Sequence, residues 1–251
     1  MITLKNERLA IKIAEPNLEN ITYRFDRAGF IVSAVLDGQY EFCSSEGGGS
    51  NGVGICSEIV TPQADREVPI GSRYPKFGVG LLLKEDEKPY SFMGVYDTES
   101  VEIETTVSEN SVVFETAPVD FPYTMKQKKT VSIEGNRLRV AYEVTNTGSE
   151  MLEFTEYAHN FLSCNGHALD PSYMLQMTNF AITEDAPFEC WLDSRNDGLK
   201  VCERDDFVPH HMGYWTNFGA MSPEIFFGAK LAPGESTHWT REYEFVKYDP
   251  A

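Results

Sequence analysis

Arg137-Leu-Arg-Val-Ala-Tyr-Glu-Val-Thr-Asn146 alternates without a slip, with Leu138, Val140, Tyr142 and Val144 on one side and polar or small residues on the other. Successive side chains on extended backbone point to opposite faces, so a period of two held over ten residues predicts a half-buried β-strand. The same rhythm recurs at 8–13, 21–26, 30–36, 101–107, 111–116 and 128–134. Between these runs stand turn signals, among them Asp37-Gly38, Glu134-Gly135-Asn136, Asn146-Thr147-Gly148 and Pro233-Gly234. No apolar period near 3.6 persists over a dozen residues. The pattern predicts an all-β protein, a large antiparallel β-sandwich rather than alternating strands and helices. The segment 152–162 follows the 137–146 strand after one turn and is expected to be its hairpin partner, with His159 and Asn160 near its end.

The chain has 251 residues, 41% hydrophobic and 12% aromatic, enough for a substantial core, and residues 1–251 are read as a single domain. Its 39 acidic residues against 21 basic ones leave a net charge of −18. Such a surface repels phosphate backbones and anionic headgroups, so neither nucleic acid nor membrane is an expected partner. The N-terminal residues turn charged without an apolar core of the secretory type, and no apolar run approaches the roughly 20 residues that span a bilayer. Five cysteines without a CxxC pair read as reduced thiols, and the expected location is the cytoplasm.

Several side chains sit where burial would be costly. His159-Asn160, between Tyr157 and Phe161, is either a satisfied core pair or a site. Glu224 lies inside the apolar run Met221-Ser-Pro-Glu-Ile-Phe-Phe; facing solvent it is an ordinary strand residue, but facing the interior its pKa would rise toward that of a general base. Arg24 and Asp26 share a face if 21–26 is a strand, as an ion pair or as the lining of a polar cleft. Arg73 and Lys76 are surface cations or donors to sugar hydroxyls. A metal site from Glu153, Glu156 and His159 needs helical spacing, which a strand denies. His210 and His211 are adjacent and expected to point apart. The glycine-rich stretch 46–54 is a surface loop or the border of a site. Of Trp191, Trp215 and Trp239, one can stack on a sugar, and core packing is the ordinary role of each. No GxSxG, HExxH or GxGxxG pattern occurs.

Taken in order, these segments resemble the galactose mutarotase (aldose 1-epimerase) superfamily. The resemblance rests on the 137–146 strand ending in Asn-x-Gly, on His159-Asn160-Phe161-Leu162, and on Ser222-Pro-Glu-Ile-Phe with Pro233-Gly-Glu and Trp239-Thr-Arg-Glu-Tyr-Glu-Phe. It implies a β-supersandwich with a sugar in an open cleft, and an isomerase that interconverts anomers without metal or organic cofactor. His159 matches the histidine that protonates the ring oxygen, and Glu224 the glutamate that removes the anomeric proton. Arg24, Arg73, Lys76 and Asn160 are the expected substrate-binding residues for a small-molecule carbohydrate. The two catalytic groups are expected on opposite sides of the sugar, with a gap on the order of 5–8 Å between them, and the imidazole is expected to titrate near neutrality. The family's upstream His-Gly-Gly is absent, Pro89-Tyr-Ser-Phe-Met-Gly-Val-Tyr standing in its region, and Tyr74-Pro-Lys-Phe replaces an Asn-Arg-Ile signature, so no particular sugar is implied. The alternatives are a non-catalytic carbohydrate-binding protein, a polysaccharide lyase, and, if Arg24, Arg73 and Lys76 converge, a sugar-phosphate epimerase.

Overall fold

The computed structural model describes residues 1–16, 23–47, 52–61, 65, 68–166, 188–217 and 219–250, and the backbone of Tyr173–Thr178. The strands among them form three sheets. The first contains β1 (Ile2–Lys5), β2 (Leu9–Ile13), β3 (Ile31–Leu36), β4 (Tyr40–Glu41) and β5 (Gly54–Val60). A three-stranded sheet of β6 (Arg73–Lys76), β7 (Gly80–Leu83) and β8 (Thr98–Glu99) follows. The second large sheet takes β9 (Ile103–Val107), β10 (Ser111–Thr116), β11 (Met125–Glu134) and β12 (Arg137–Asn146). The chain then returns to the first sheet for β13 (Leu152–Phe161) and to the second for β14 (Tyr173–Thr178), β15 (Phe188–Ser194) and β16 (Leu199–Asp205). Strands β17 (His211–Thr216) and β18 (Met221–Leu231) complete the first sheet, and β19 (Ser236–Lys247) enters the second. The spatial orders are β1-β2-β3-β5-β13-β18-β17, with β4 on β3, and β14-β15-β16-β19-β12-β11-β10-β9. The pairings within both large sheets are antiparallel, as the alternating sequence predicts. Among the described residues no helix is long and apolar enough to cross a membrane.

The core lies between the two large sheets. Leu138, Val140, Tyr142 and Val144, the apolar face of β12, meet Ile59, Phe154, Ala158 and Phe227 of the first sheet. At its centre Trp239 is stacked between Tyr142 (ring centroids 4.6 Å) and Phe227 (4.3 Å), and its indole N–H donates to Glu156 Oε2 at 2.9 Å. A buried indole thus keeps its one polar atom satisfied, as a low-dielectric interior requires.

Two sequence expectations are corrected here. Strands β12 and β13 are not a hairpin: β12 pairs with β11 and β19, and β13 with β5 and β18. Asn146, fully buried, redirects the chain. Its Oδ1 accepts from Gly148 N–H at 2.9 Å, while its Nδ2 donates to the carbonyls of Glu150 and Leu231, each at 2.9 Å. Its own carbonyl accepts from Gly234 N–H at 2.8 Å, so the Asn146–Gly148 and Pro233–Gly234 turns cross between sheets side by side. Nor is 23–26 a strand. Asp26 N–H donates to Ser57 O and Arg27 N–H to Gly78 O, so this stretch spans from β5 to the β6–β7 turn instead of joining a ladder. Asp26 turns inward to Gln127 (3.0 Å) and Lys129 (3.4 Å), away from Arg24. Residues 21–22 of that expected strand, and 48–51 of the glycine-rich stretch, lie outside the described residues.

Replacing Asn146 by Leu leaves several buried groups without partners at about 1 kcal/mol each. A loss of about 2–3 kcal/mol in urea unfolding is expected, and a loss below about 1 kcal/mol would show that the two turns hold without it.

Candidate active site

The antiparallel register of β13 and β18 brings His159 and Glu224 together. Tyr157 is opposite Phe226 and Leu162 opposite Met221, which places 159 opposite 224 on one face. His159 Nε2 and Glu224 Oε1 are 3.1 Å apart. This departs from the expected sugar-sized gap: the two groups are cross-strand neighbours, not opposite walls. They lie on the outer face of the first sheet, away from the inter-sheet core. The His159 side chain is 2% exposed and Glu224 16%, so the carboxylate is the member that solvent reaches.

Aromatic rings pack around the imidazole. Phe161 stacks on it (4.1 Å), while Phe25 (5.9 Å) and Trp215 (5.1 Å) meet it edge-on. Gly52 closes from behind, since a Cβ there would come within 2.3 Å of the Phe161 ring. Burial, with the Arg24 guanidinium adding to it, pushes His159 down to about 3, well below the expected near-neutral value. Burial likewise raises Glu224, against the pull of Arg24. Gly213 of β17 is opposite Glu224, and a Cβ there would meet Glu224 Oε2 at 2.9 Å. The missing side chain is what gives the carboxylate its room.

Beside the pair is a second carboxylate that sequence reasoning missed. Glu58 of β5 accepts from Arg24 Nε (2.7 Å), Tyr157 Oη (2.6 Å) and Lys76 Nζ (3.0 Å). Burial alone would raise its pKa, but Lys76 and Arg24 outweigh that and hold it below the usual range. The signal was available: Glu58 stands in the apolar run Ile55-Cys-Ser-Glu-Ile much as Glu224 stands in its own. Arg24 and Lys76 therefore converge on Glu58. Phe92, 45% exposed, lies over the Arg24 guanidinium at 4.4 Å.

Arg73 is placed elsewhere. It is held by Asp97, Glu99 and the Leu81 carbonyl within the three-stranded sheet. Asn160 faces inward, because neighbours on a strand point to opposite faces. Its side chain donates to Glu203 (2.8 Å) and to Pro223 O (3.2 Å), and accepts from Tyr243 (3.0 Å). These contacts fill a gap, since the β13–β18 ladder stops at Tyr157–Phe226 and resumes only at the Leu162–Met221 bridge. Pro223 has no N–H to give. Instead Asn160 N–H donates to Ser222 Oγ (2.9 Å), and Arg241 Nη2 donates to Ile225 O (2.8 Å). The carbonyls on both sides of Glu224 are thus gripped from the core.

His210 and His211 do converge, with Nδ1 atoms 3.0 Å apart, contrary to expectation; His211 is drawn onto the Phe226 ring (3.7 Å). Trp239 is core, and Trp191 packs beside Arg204, leaving Trp215 as the tryptophan at the site. Among the described residues no three His, Cys, Asp or Glu side chains cluster as a metal site.

No family model matches the chain, and no curated protein matches it in sequence. Solved structures do match in fold. One titled a putative aldose 1-epimerase from Escherichia coli K12 has a TM-score of 0.64 at 14% identity, over 98% of each chain. A galactose mutarotase-like protein from Lactobacillus casei gives 0.64 at 13%, over 98% of this chain and 100% of that one. An aldose epimerase homologue from C. elegans gives 0.56 at 9%, over 99% of both. The chain has the galactose-mutarotase-like fold, an all-β sandwich.

The unfolded chain protonates its histidine near 6.5, whereas folded His159 refuses the proton until about 3. Its contribution to stability is therefore present above pH 6.5 and lost as pH falls toward 3, at up to about 1.4 kcal/mol per pH unit. The stability difference between wild type and His159→Gln is expected to shrink as pH falls from about 6.5 to about 4. The His159 ring resonances should stay unshifted over that range, and titration near pH 6.5 would contradict the buried, neutral imidazole.

Proposed function

We propose that this chain is an aldose 1-epimerase-like isomerase, which interconverts the anomers of a free or modified sugar through the His159–Glu224 pair. The observation that carries this reading is the 3.1 Å contact between an imidazole nitrogen and a carboxylate oxygen on the outer sheet face. Anomer exchange needs a proton delivered to the ring oxygen and one taken from the anomeric hydroxyl, and both oxygens sit on one carbon. A pair held side by side meets that O–C–O edge from one direction, with the edge inserted between His159 Nε2 and Glu224 Oε1.

One proton shared by the pair serves both transfers. With it on His159, Nε2–H protonates the ring oxygen while Glu224 takes the hydroxyl proton, and the C1–O5 bond breaks to give the open-chain aldehyde. His159 is left neutral and Glu224 protonated, the two forms that burial favours. Rotation about C1–C2 presents the other carbonyl face. Closure then returns the carboxyl proton to the carbonyl oxygen and the hydroxyl proton to Nε2, and the other anomer leaves. Trp215 beside His159, and Phe92 over Arg24, supply apolar faces for the C–H surface of a sugar ring. Of the residues read from sequence as binding sugar, Arg24 stands nearest this role; Lys76 acts by balancing Glu58, Asn160 by holding β13 to β18, and Arg73 is outside the proposed set.

Polarimetry across a panel of aldoses tests the reading. Glu224→Gln is expected to lower the anomerisation rate by about 10²-fold or more, the scale of a lost general acid or base. Saccharide binding without faster anomerisation in the wild type would identify a binding protein instead. Because the pair must hold one proton, the rate should fall as pH rises through the elevated pKa of Glu224, and again as pH approaches about 3, where His159 takes a second. A rate that keeps rising above neutrality and is lost in Glu224→Gln would require Glu224 to act alone as a base.

A further inference from the structure

Arg27 differs from every other buried cation among the described residues. Arg24 and Lys76 share Glu58, Lys129 has Asp26, and Arg241 has three carboxylates. Arg27 is 8% exposed and has no carboxylate partner among the described residues, in a chain with 39 acidic residues against 21 basic ones. Its Nε is sealed from solvent with no acceptor. The terminal guanidinium nitrogens make no hydrogen bond to the described residues either, yet they are not sealed in the same way, so this end of the group opens onto accessible space. Burial works against the cation, and the group that counters it is the Tyr23 phenol, a weak counter-charge.

A guanidinium cannot escape this situation by losing its proton. An uncompensated buried charge is costly, and an oxyanion held by two parallel N–H bonds cancels that cost. The location is specific. Arg27 N–H is bonded to Gly78 O, and two residues earlier Phe25 packs against the His159 ring at 5.9 Å. Since consecutive Cα atoms are about 3.8 Å apart, Arg27 starts within about 8 Å of the Phe25 backbone. Glu58, the buried carboxylate of the site, is already held by Arg24 and Lys76 and makes no ion pair with Arg27.

We infer that Arg27 forms an oxyanion subsite next to the His159–Glu224 site, which takes a carboxylate or phosphate group. On the reading that the His159–Glu224 site binds a sugar, the ligand is an acidic sugar, a uronate or a sugar phosphate.

The test titrates inorganic phosphate, D-glucose, D-glucuronate and D-glucose 6-phosphate into the full chain, followed by calorimetry and by the Arg27 Nε–H resonance. At least one acidic sugar is expected to bind about tenfold or more tightly than glucose, and phosphate alone to shift the Arg27 resonance. The arm that binds more tightly tells carboxylate from phosphate ester. In Arg27→Met the acidic-to-neutral preference should collapse, and without anion the variant should melt no lower than wild type, because an unpaired buried charge has been removed. Equal binding of glucose and its acidic counterparts would overturn the subsite and leave the sugar reading standing. Phosphate binding that depends on Arg27, with no gain from any attached sugar, would keep the subsite and overturn the sugar reading. A marked loss of stability in Arg27→Met without anion would show a structural cation and overturn the inference.

Discussion

Arg241 reaches from β19 across the sandwich with 1% of its side chain exposed, and three carboxylates from two sheets close on it. Glu156 comes from β13 (2.8 Å), and Glu203 (3.2 Å) and Asp205 (3.4 Å) come from β16. One guanidinium cannot neutralise all three. Burial therefore pushes Glu203 up to about 7 and raises Asp205 well above the usual range, each against the pull of Arg241. Such a cluster is a poor source of net stability, since desolvation offsets much of the attraction. What it supplies is position. The same guanidinium that ties the sheets together also binds Ile225 O, and Glu203 anchors the Asn160 amide that binds Pro223 O. The open stretch of the β13–β18 ladder is held from behind by these bonds, and Glu224 sits at its middle.

Strand β13 therefore carries two functions on alternate residues. Glu156, Ala158 and Asn160 face the core and fix the sheet, while Tyr157, His159 and Phe161 face outward and build the site. A shift of one residue in register would exchange the two sets, placing a histidine in the apolar core and an asparagine under the aromatic rings. The hydrogen bonds of Asn160 and Glu156 make that shift costly, and thereby protect the alignment of His159 with Glu224. Gly213 completes the arrangement on the neighbouring strand by leaving the Glu224 carboxylate space instead of a wall to press against.

Much of the fold was legible because alternation is a local property. The 137–146 and 111–116 runs are strands over the residues their patterns mark. Which strands pair is not local. Asn146-Thr147-Gly148 reads as a hairpin turn, and only the distant carbonyl of Leu231 and the N–H of Gly234 make it a crossing between sheets. The 23–26 stretch shows the same limit, since its alternation is real but its hydrogen bonds go to two different elements. At the site, His159 and Glu224 stood out as polar residues in apolar runs, and Glu58 carried the same mark. Their 3.1 Å contact did not, because it depends on the register of strands 65 positions apart in sequence. Arg27 carries no mark in the sequence; its burial without a partner appears only in three dimensions.

The account depends on a sugar entering the 3.1 Å contact between His159 and Glu224. A crystal structure of the Glu224→Gln variant with a slowly turned-over aldose tests this most directly. The account predicts the ring oxygen within hydrogen-bond distance of His159 Nε2, the anomeric hydroxyl against the side-chain amide oxygen introduced at position 224, and the two side chains parted to admit them. A sugar bound elsewhere on the sheet, with the 159–224 contact closed beneath it, would contradict it.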